Sequence, residues 1–259
     1  MNAEIITELI GHLSDGDFES LVALREVFKT VEVIYNHDQR NEFRVYYFDL
    51  SQDNDGEPLI EAQVELLSKV YREAATKGFK TLLEIGPSNK TSPATACAFR
   101  ENCVVFAIDV HRLTLSNQDP IYTDFPDLVS REAQLGLAFF FCLPAKKIPD
   151  NIKFDEVMII APYPTGISNY YFGEQTYAID GFNCLEIGGR MVIVLDPDDA
   201  TAMERMIRSQ LAEKFLESSF SVEKNIYNAE SLKGLGILAK ESDHLYHHQL
   251  PVLLITRNS

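Results

Sequence analysis

The stretch Thr81-Leu82-Leu83-Glu84-Ile85-Gly86-Pro87-Ser88-Asn89 is a short apolar run that stops at a glycine and passes into polar, cap-forming residues. A strand buried on both faces reads as a near-continuous apolar run bounded by turn residues, so 81–85 is expected to be a central strand. Gly86 lets the backbone approach closely to whatever lies above it. The helix expected to open next would offer free N–H groups, a ready cradle for an anionic or polar ligand. Taken alone, these residues read equally as a plain strand-to-helix turn with Ser88, Asn89 or Thr91 as N-cap.

Working outward, the same kind of run recurs at Val104–Ile108, Leu137–Phe141, Val157–Ile160 and Met191–Leu195, each separated by enough chain for a crossover. Strands spaced in this way form a mostly parallel sheet. Two further strands are expected at Phe220–Tyr227 and Leu250–Thr256. Between them and the fifth run, Asp196-Pro197-Asp198-Asp199 supplies an acidic helix start, and Met203, Met206, Ile207, Leu211 and Phe215 supply an apolar stripe. The fold class is therefore α/β, a doubly wound and mostly parallel sheet.

Upstream, Ile5, Ile6, Leu9, Ile10 and Leu13 recur at helical spacing before Ser14-Asp15-Gly16, and a second helix is expected from Asp17. Val31–Tyr35 and Phe43–Phe48 are rich in β-branched and aromatic residues and predict a small hairpin. Ser51-Gln52-Asp53-Asn54-Asp55-Gly56 is the linker, and Pro58 is well placed to open a helix with the stripe Ile60, Val64, Leu67, Tyr71 and Ala74, stopped at Gly78. These signals divide the chain into an N-terminal helical and hairpin extension, 1–57, and a main α/β domain, 58–259.

With 46% hydrophobic and 24% charged residues the composition is that of an ordinary globular protein. A net charge of −16 repels a phosphate backbone at long range and argues against nucleic acid as a partner. Cys97, Cys103, Cys142 and Cys184 show no C-x-x-C spacing and read as reduced core thiols. Met1-Asn2-Ala3-Glu4 carries no basic leader and no segment approaches 18 apolar residues, so a cytoplasmic protein without a membrane partner is expected.

In open α/β sheets ligands bind beyond the carboxyl ends of the strands. Asp109 ends the second expected strand, about 20 residues after the glycine turn, where a carboxylate can accept hydrogen bonds from the two vicinal hydroxyls of a ribose. Its plain alternative is a strand-terminating Asp that caps the next turn.

The ordered series TLLEIGPSN, VVFAIDV, FDEVMIIAPYP and CLEIGGRMVIVLD resembles the motifs of class I S-adenosylmethionine-dependent methyltransferases. The resemblance covers most of 79–259 and implies a Rossmann-like, seven-stranded sheet closed by an antiparallel C-terminal hairpin, with Pro251–Thr256 the reversed strand. It implies S-adenosylmethionine as cofactor. Glu84, Gly86, Pro87, Ser88 and Asn89 would lie at its methionine end, Asp109 at its ribose, Val110 and Leu143 at its adenine, and Ala161 near the transferred methyl. Pro87, Ser88 and Asn89 stand where the family carries further glycines, and no acid follows the third strand at Phe141-Cys142-Leu143-Pro144.

Ala161-Pro162-Tyr163-Pro164 is similar to the family's Asn/Asp-Pro-Pro-Tyr element, with Ala161 in place of the polar first member. Tyr163 and Tyr170, with Tyr171 beside it, are then the acceptor-side residues, or they only shape a rigid loop. The resemblance implies methyl transfer to a small-molecule acceptor, with the N-terminal extension covering the cofactor or forming a homodimer contact. A second reading is a catalytically degenerate relative that senses the cofactor or binds a protein.

A nicotinamide oxidoreductase fits less well: the first loop lacks G-x-G-x-x-G, and Glu174 and Gln175, not lysine, stand four residues after Tyr170 and Tyr171. His244, His247 and His248 fall in an expected hairpin loop, where i, i+4 spacing does not place two imidazoles on one face, so no metal site is expected. His111 reads as a surface residue.

Overall fold

The computed structural model describes residues 28–35, 41–48, 57–76, 78–86, 103–109, 136–160, 177–235, 237 and 249–259. Nine strands form one sheet: β1 (Phe28–Tyr35), β2 (Asn41–Phe48), β3 (Lys80–Ile85), β4 (Cys103–Asp109), β5 (Gly136–Cys142), β6 (Phe154–Ile160), β7 (Leu185–Val194), β8 (Phe220–Tyr227) and β9 (Leu250–Arg257). Among the described residues four α-helices accompany them: α1 (Glu57–Thr76), α2 (Tyr177–Asn183), α3 (Ala200–Lys214) and α4 (Ala229–Gly234).

The strand order is β1-β2-β5-β4-β3-β6-β7-β9-β8. From β2 through β7 neighbouring strands are parallel, whereas β9 is antiparallel to both β7 and β8. Counted from β3, the order is 3-2-1-4-5-7-6, a doubly wound arrangement with a reversed strand inserted near one edge. This is the architecture, with its antiparallel C-terminal hairpin, that the resemblance implied. The expectation of seven strands is corrected to nine. β1 and β2 do form a hairpin, in the register Phe28↔Phe48 to Tyr35↔Asn41, but β2 also pairs with β5 from Phe43↔Gly136 to Tyr47↔Phe140. The hairpin thus extends the main sheet at an edge that would otherwise be open. The two expected helices before residue 28 lie outside the described residues.

α1 buries Leu67 and Ala74 of the expected stripe together with Leu66 and Val70, which the stripe did not include, while Ile60, Val64 and Tyr71 are half-buried. Its end is a Schellman turn: the Phe79 N–H donates to the Ala74 carbonyl and the Gly78 N–H to the Ala75 carbonyl, both at 3.0 Å, around Gly78 at φ +76°. α1, α2 and α3 contribute to a common core, which includes Leu83, Phe106, Phe139, Val157, Met191, Ile193 and Ile255 of the sheet. Phe106 carries much of this core, its ring lying 6.1 Å from Phe139, 5.4 Å from Phe154 and 6.3 Å from Tyr71. Such pairs contribute about 0.5–1.5 kcal/mol each beyond area burial. The alternate residues Leu82, Val105, Ala107, Met158, Val192 and Val194 are buried as well, which is why these strands read as unbroken apolar runs.

β7 begins six residues before the expected Met191. Between Phe154↔Leu185 and Glu156↔Arg190 its register slips, leaving Glu186, Ile187 and Gly188 exposed. Gly189 is fixed there by close approach: a Cβ would stand 2.9 Å from the carbonyl oxygens of Asp155 and Glu186. Arg257 then clips β9 to the end of α2, its Nη1 donating to the Leu185 carbonyl at 2.7 Å and its guanidinium lying 5.5 Å from the centre of the Phe182 ring.

Candidate functional site

The sheet's winding reverses between β3 and β6. From β3 the chain steps to β4 and β5 on one side, then returns to β6 on the other. Crossovers leaving in opposite directions open a crevice at the carboxyl ends of such a pair. The ladders show this opening. β3 and β6 are joined over only three residue pairs, ending at Glu84↔Met158, whereas β3–β4 runs to Ile85↔Ile108 and β6–β7 to Ile160↔Val194.

Four of the residues singled out in the sequence have described positions, and all four cluster along this carboxyl edge. Glu84 is the penultimate residue of β3, paired with Ala107, and is buried at 1% exposure. Gly86 follows the strand at φ +73°, and its N–H donates to the Ile108 carbonyl at 2.8 Å. A Cβ at Gly86 would meet no described residue within 4 Å, so the glycine is demanded by backbone conformation. Asp109, half-buried, ends β4 one residue beyond that carbonyl and lies in register with Cys142 of β5. Leu143, directly after β5, is buried in the core and backs the edge.

Adjacent strands lie about 4.8 Å apart, so Gly86, Asp109 and Leu143 mark three neighbouring strand ends spanning about 10 Å. A backbone turn, a carboxylate and an apolar wall in that order fit a ligand with a hydroxyl-bearing sugar between a polar and an apolar end. Pro87, Ser88, Asn89, Val110, Ala161, Tyr163 and Tyr170 lie outside the described residues, as do His111, His244, His247 and His248.

The opposite, amino end of the same strands is structural. The Thr81 backbone N–H and its hydroxyl both donate to Asp155 Oδ2, at 2.8 and 3.0 Å, and the Tyr71 hydroxyl donates to the Lys153 carbonyl. Burial raises the Tyr71 pKa and pushes the Cys184 thiol up to about 12. Cys103 and Cys184 are both buried. Among the described residues no group of three or more His, Cys, Asp or Glu side chains could hold a metal, and no helix is long and apolar enough to cross a membrane.

Sequence reasoning passed over Tyr177, the first residue of α2. Its hydroxyl is buried and has no hydrogen-bond partner among the described residues, and burial raises its pKa well above that of a free phenol. The available signal was its spacing, four residues ahead of Gly181 on a segment leading into a strand.

No protein-family model matches the chain, and no curated protein matches it in sequence. Solved structures with a similar fold include the 16S rRNA methyltransferase KamB, at 11% identity over 72% of this chain and 91% of that one, with a TM-score of 0.44. A 16S rRNA (adenine(1408)-N(1))-methyltransferase from Catenulisporales acidiphilia, solved with its cosubstrate SAM, is 13% identical over 73% and 89%, with a TM-score of 0.44. The N-methyltransferase NodS from Bradyrhizobium japonicum WM9 is 15% identical over 80% and 100%, with a TM-score of 0.35. The likeness is one of fold, and no activity is read from it.

Two of these names correct the expectation, drawn from net charge, that nucleic acid is not a partner. Net charge describes the whole surface, whereas a polyanion is recognised by a local groove, so a balance of −16 gives no ground for setting RNA aside.

Proposed function

We propose that the chain binds S-adenosylmethionine across the carboxyl ends of β3, β4 and β5 and transfers its methyl group, with 58–259 as the catalytic domain. The observation that carries this reading is the Gly86–Asp109 pair: a left-handed glycine bonded to the Ile108 carbonyl, with a carboxylate on the next strand end, at the point where the sheet's winding reverses. Gly86 and Glu84 serve the methionine end, Asp109 accepts from the two ribose hydroxyls, and Leu143 forms an apolar wall for the adenine.

When bound, the cofactor supplies a sulfonium whose methyl is already activated toward a nucleophile. The chain's task is then to orient the acceptor in line with that methyl and to keep water away. Tyr163 and Tyr170, in the stretch joining β6 to α2, are the acceptor-side residues of this proposal.

Calorimetry with S-adenosylmethionine, S-adenosylhomocysteine and NAD tests the reading. Binding of the two adenosyl ligands and not of NAD is the expected result, and binding of NAD alone would sink it. Asp109→Ala should weaken S-adenosylhomocysteine by about 2–4 kcal/mol, the worth of a pair of charge-assisted hydrogen bonds. An unchanged affinity removes Asp109 from the site. Assays for methyl incorporation should then include both ribosomal RNA and small-molecule acceptors.

A further inference from the structure

α2 lies on the α1–α3 face of the sheet, packed over β3, β6 and β7. A Cβ at Gly181 would stand 3.3 Å from both Ile85 Cδ1 of β3 and Val157 Cγ1 of β6. The direction of the helix is fixed by its end: Cys184, just after α2, accepts from the Phe154 N–H at 2.7 Å, and Phe154 is the first residue of β6. α2 therefore descends toward the amino end of the parallel strands, and its first residue, Tyr177, is its highest point toward the carboxyl edge.

Residues four apart share a helix face and are separated by about 6 Å along the axis. Tyr177 accordingly stands on the same sheet-facing side as Gly181, about two strand residues nearer the edge, at the level of Gly86. Helical side chains lean toward the helix N-terminus, which carries the phenol further in the same direction.

A buried hydroxyl without a partner costs about 1–3 kcal/mol and calls for an explanation. We infer that the Tyr177 hydroxyl is a ligand-binding group of the crevice, donating a hydrogen bond to the carboxylate at the methionine end of the bound cofactor. The inference rests on the reading of the site as a place for S-adenosylmethionine. Burial holds the phenol in its neutral form, which suits it to donate and not to act as a base. The contact is one of binding and positioning, with no proton transferred.

The test is Tyr177→Phe in the full chain, which removes one oxygen and keeps the ring. Two probes are titrated by calorimetry: S-adenosylhomocysteine, which has the amino-acid end, and 5′-methylthioadenosine, which lacks it. S-adenosylhomocysteine should bind the variant about ten- to a hundredfold more weakly, as for loss of a hydrogen bond to a charged group, while 5′-methylthioadenosine should be unaffected. The thermal midpoint should stay level or rise, since the hydroxyl removed has no partner among the described residues.

Equal affinity of variant and parent for S-adenosylhomocysteine overturns the inference and leaves the function standing. Equal weakening of both probes also overturns it, because the effect then lies outside the amino-acid end. If the parent protein binds neither probe, the reading of the site falls first and the inference with it. Should the phenylalanine variant fold poorly, Tyr177→Leu read against the same two probes supplies the same ratio.

Discussion

Gly78 and Gly86 flank the same strand, β3, and offer a controlled comparison. Their φ angles are +76° and +73°, and a Cβ at either would meet no described residue within 4 Å. Alanine at each position therefore meets the same obstacle, a left-handed backbone, and no steric one among the described residues. The cost is about 1–2 kcal/mol per residue. In a chain of this size each kcal/mol lowers the thermal midpoint by about 2–4 °C. Gly78→Ala and Gly86→Ala should thus be destabilised to the same extent by urea denaturation and by calorimetric melting.

Their effects on ligand affinity should separate completely. Relaxing φ at Gly86 turns its N–H away from the Ile108 carbonyl, 2.8 Å distant, and so disturbs the start of the loop and the end of β4 together. Gly86→Ala should weaken S-adenosylhomocysteine by at least about tenfold, the equivalent of one lost hydrogen bond, whereas Gly78→Ala, at the amino end, should bind as the parent does. Asparagine, which tolerates the left-handed region, should recover part of the stability at both positions. Equal losses of affinity in the two alanine variants would refute the assignment of the carboxyl edge as the site, and clearly unequal losses of stability would refute the conformational account.

Two further outcomes are expected. Glu204 accepts from Lys224 Nζ at 2.7 Å and from Arg208 Nε at 3.0 Å, and these bonds, Lys224 first, hold its pKa below the ordinary carboxylate value. A depressed carboxylate stabilises the fold above its unfolded pKa and loses that contribution as pH falls through the folded pKa. The stability gap between the parent and Glu204→Gln in urea should therefore be full near neutrality and close below the normal carboxylate range; a gap that widens on acidification would contradict it. Cys184, with its thiol raised to about 12 by burial, should resist iodoacetamide at pH 8 in the native protein and be alkylated only after unfolding, as peptide mass mapping would show.

How much of this was legible follows from burial. The strands β3 to β6 are enclosed on both faces, so their sequences carry no alternation to misread, and their ends fell within one to three residues of expectation. β7 starts early because Gly188 and Gly189 make an irregularity that periodicity does not reveal. β1 and β2 were readable as a hairpin, but their place in the sheet depends on pairing Phe43 with Gly136, a contact between residues far apart in the chain that leaves no local mark.

Of the proposed site, Gly86 and Asp109 were legible as candidates because a glycine after one strand and an acid after the next follow from how such sheets bind. Tyr177 was not, since a seven-residue helix containing Gly181 reads as loop, and only its direction over the sheet brings the phenol to the edge. The judgement on nucleic acid failed for a different reason: a sum of charges has no location.

The early end of the β3–β6 ladder at Glu84↔Met158 bears on how such a protein can change. The fork is set by the path of the backbone and does not depend on which side chains stand beyond it. On the proposed reading, positions past the fork other than Gly86 can vary what is bound with little effect on what is folded, so new ligands can be sampled on a constant frame. Stability and specificity are thereby inherited on different stretches of the chain, and a laboratory library that randomises positions beyond the fork should retain a high fraction of folded members.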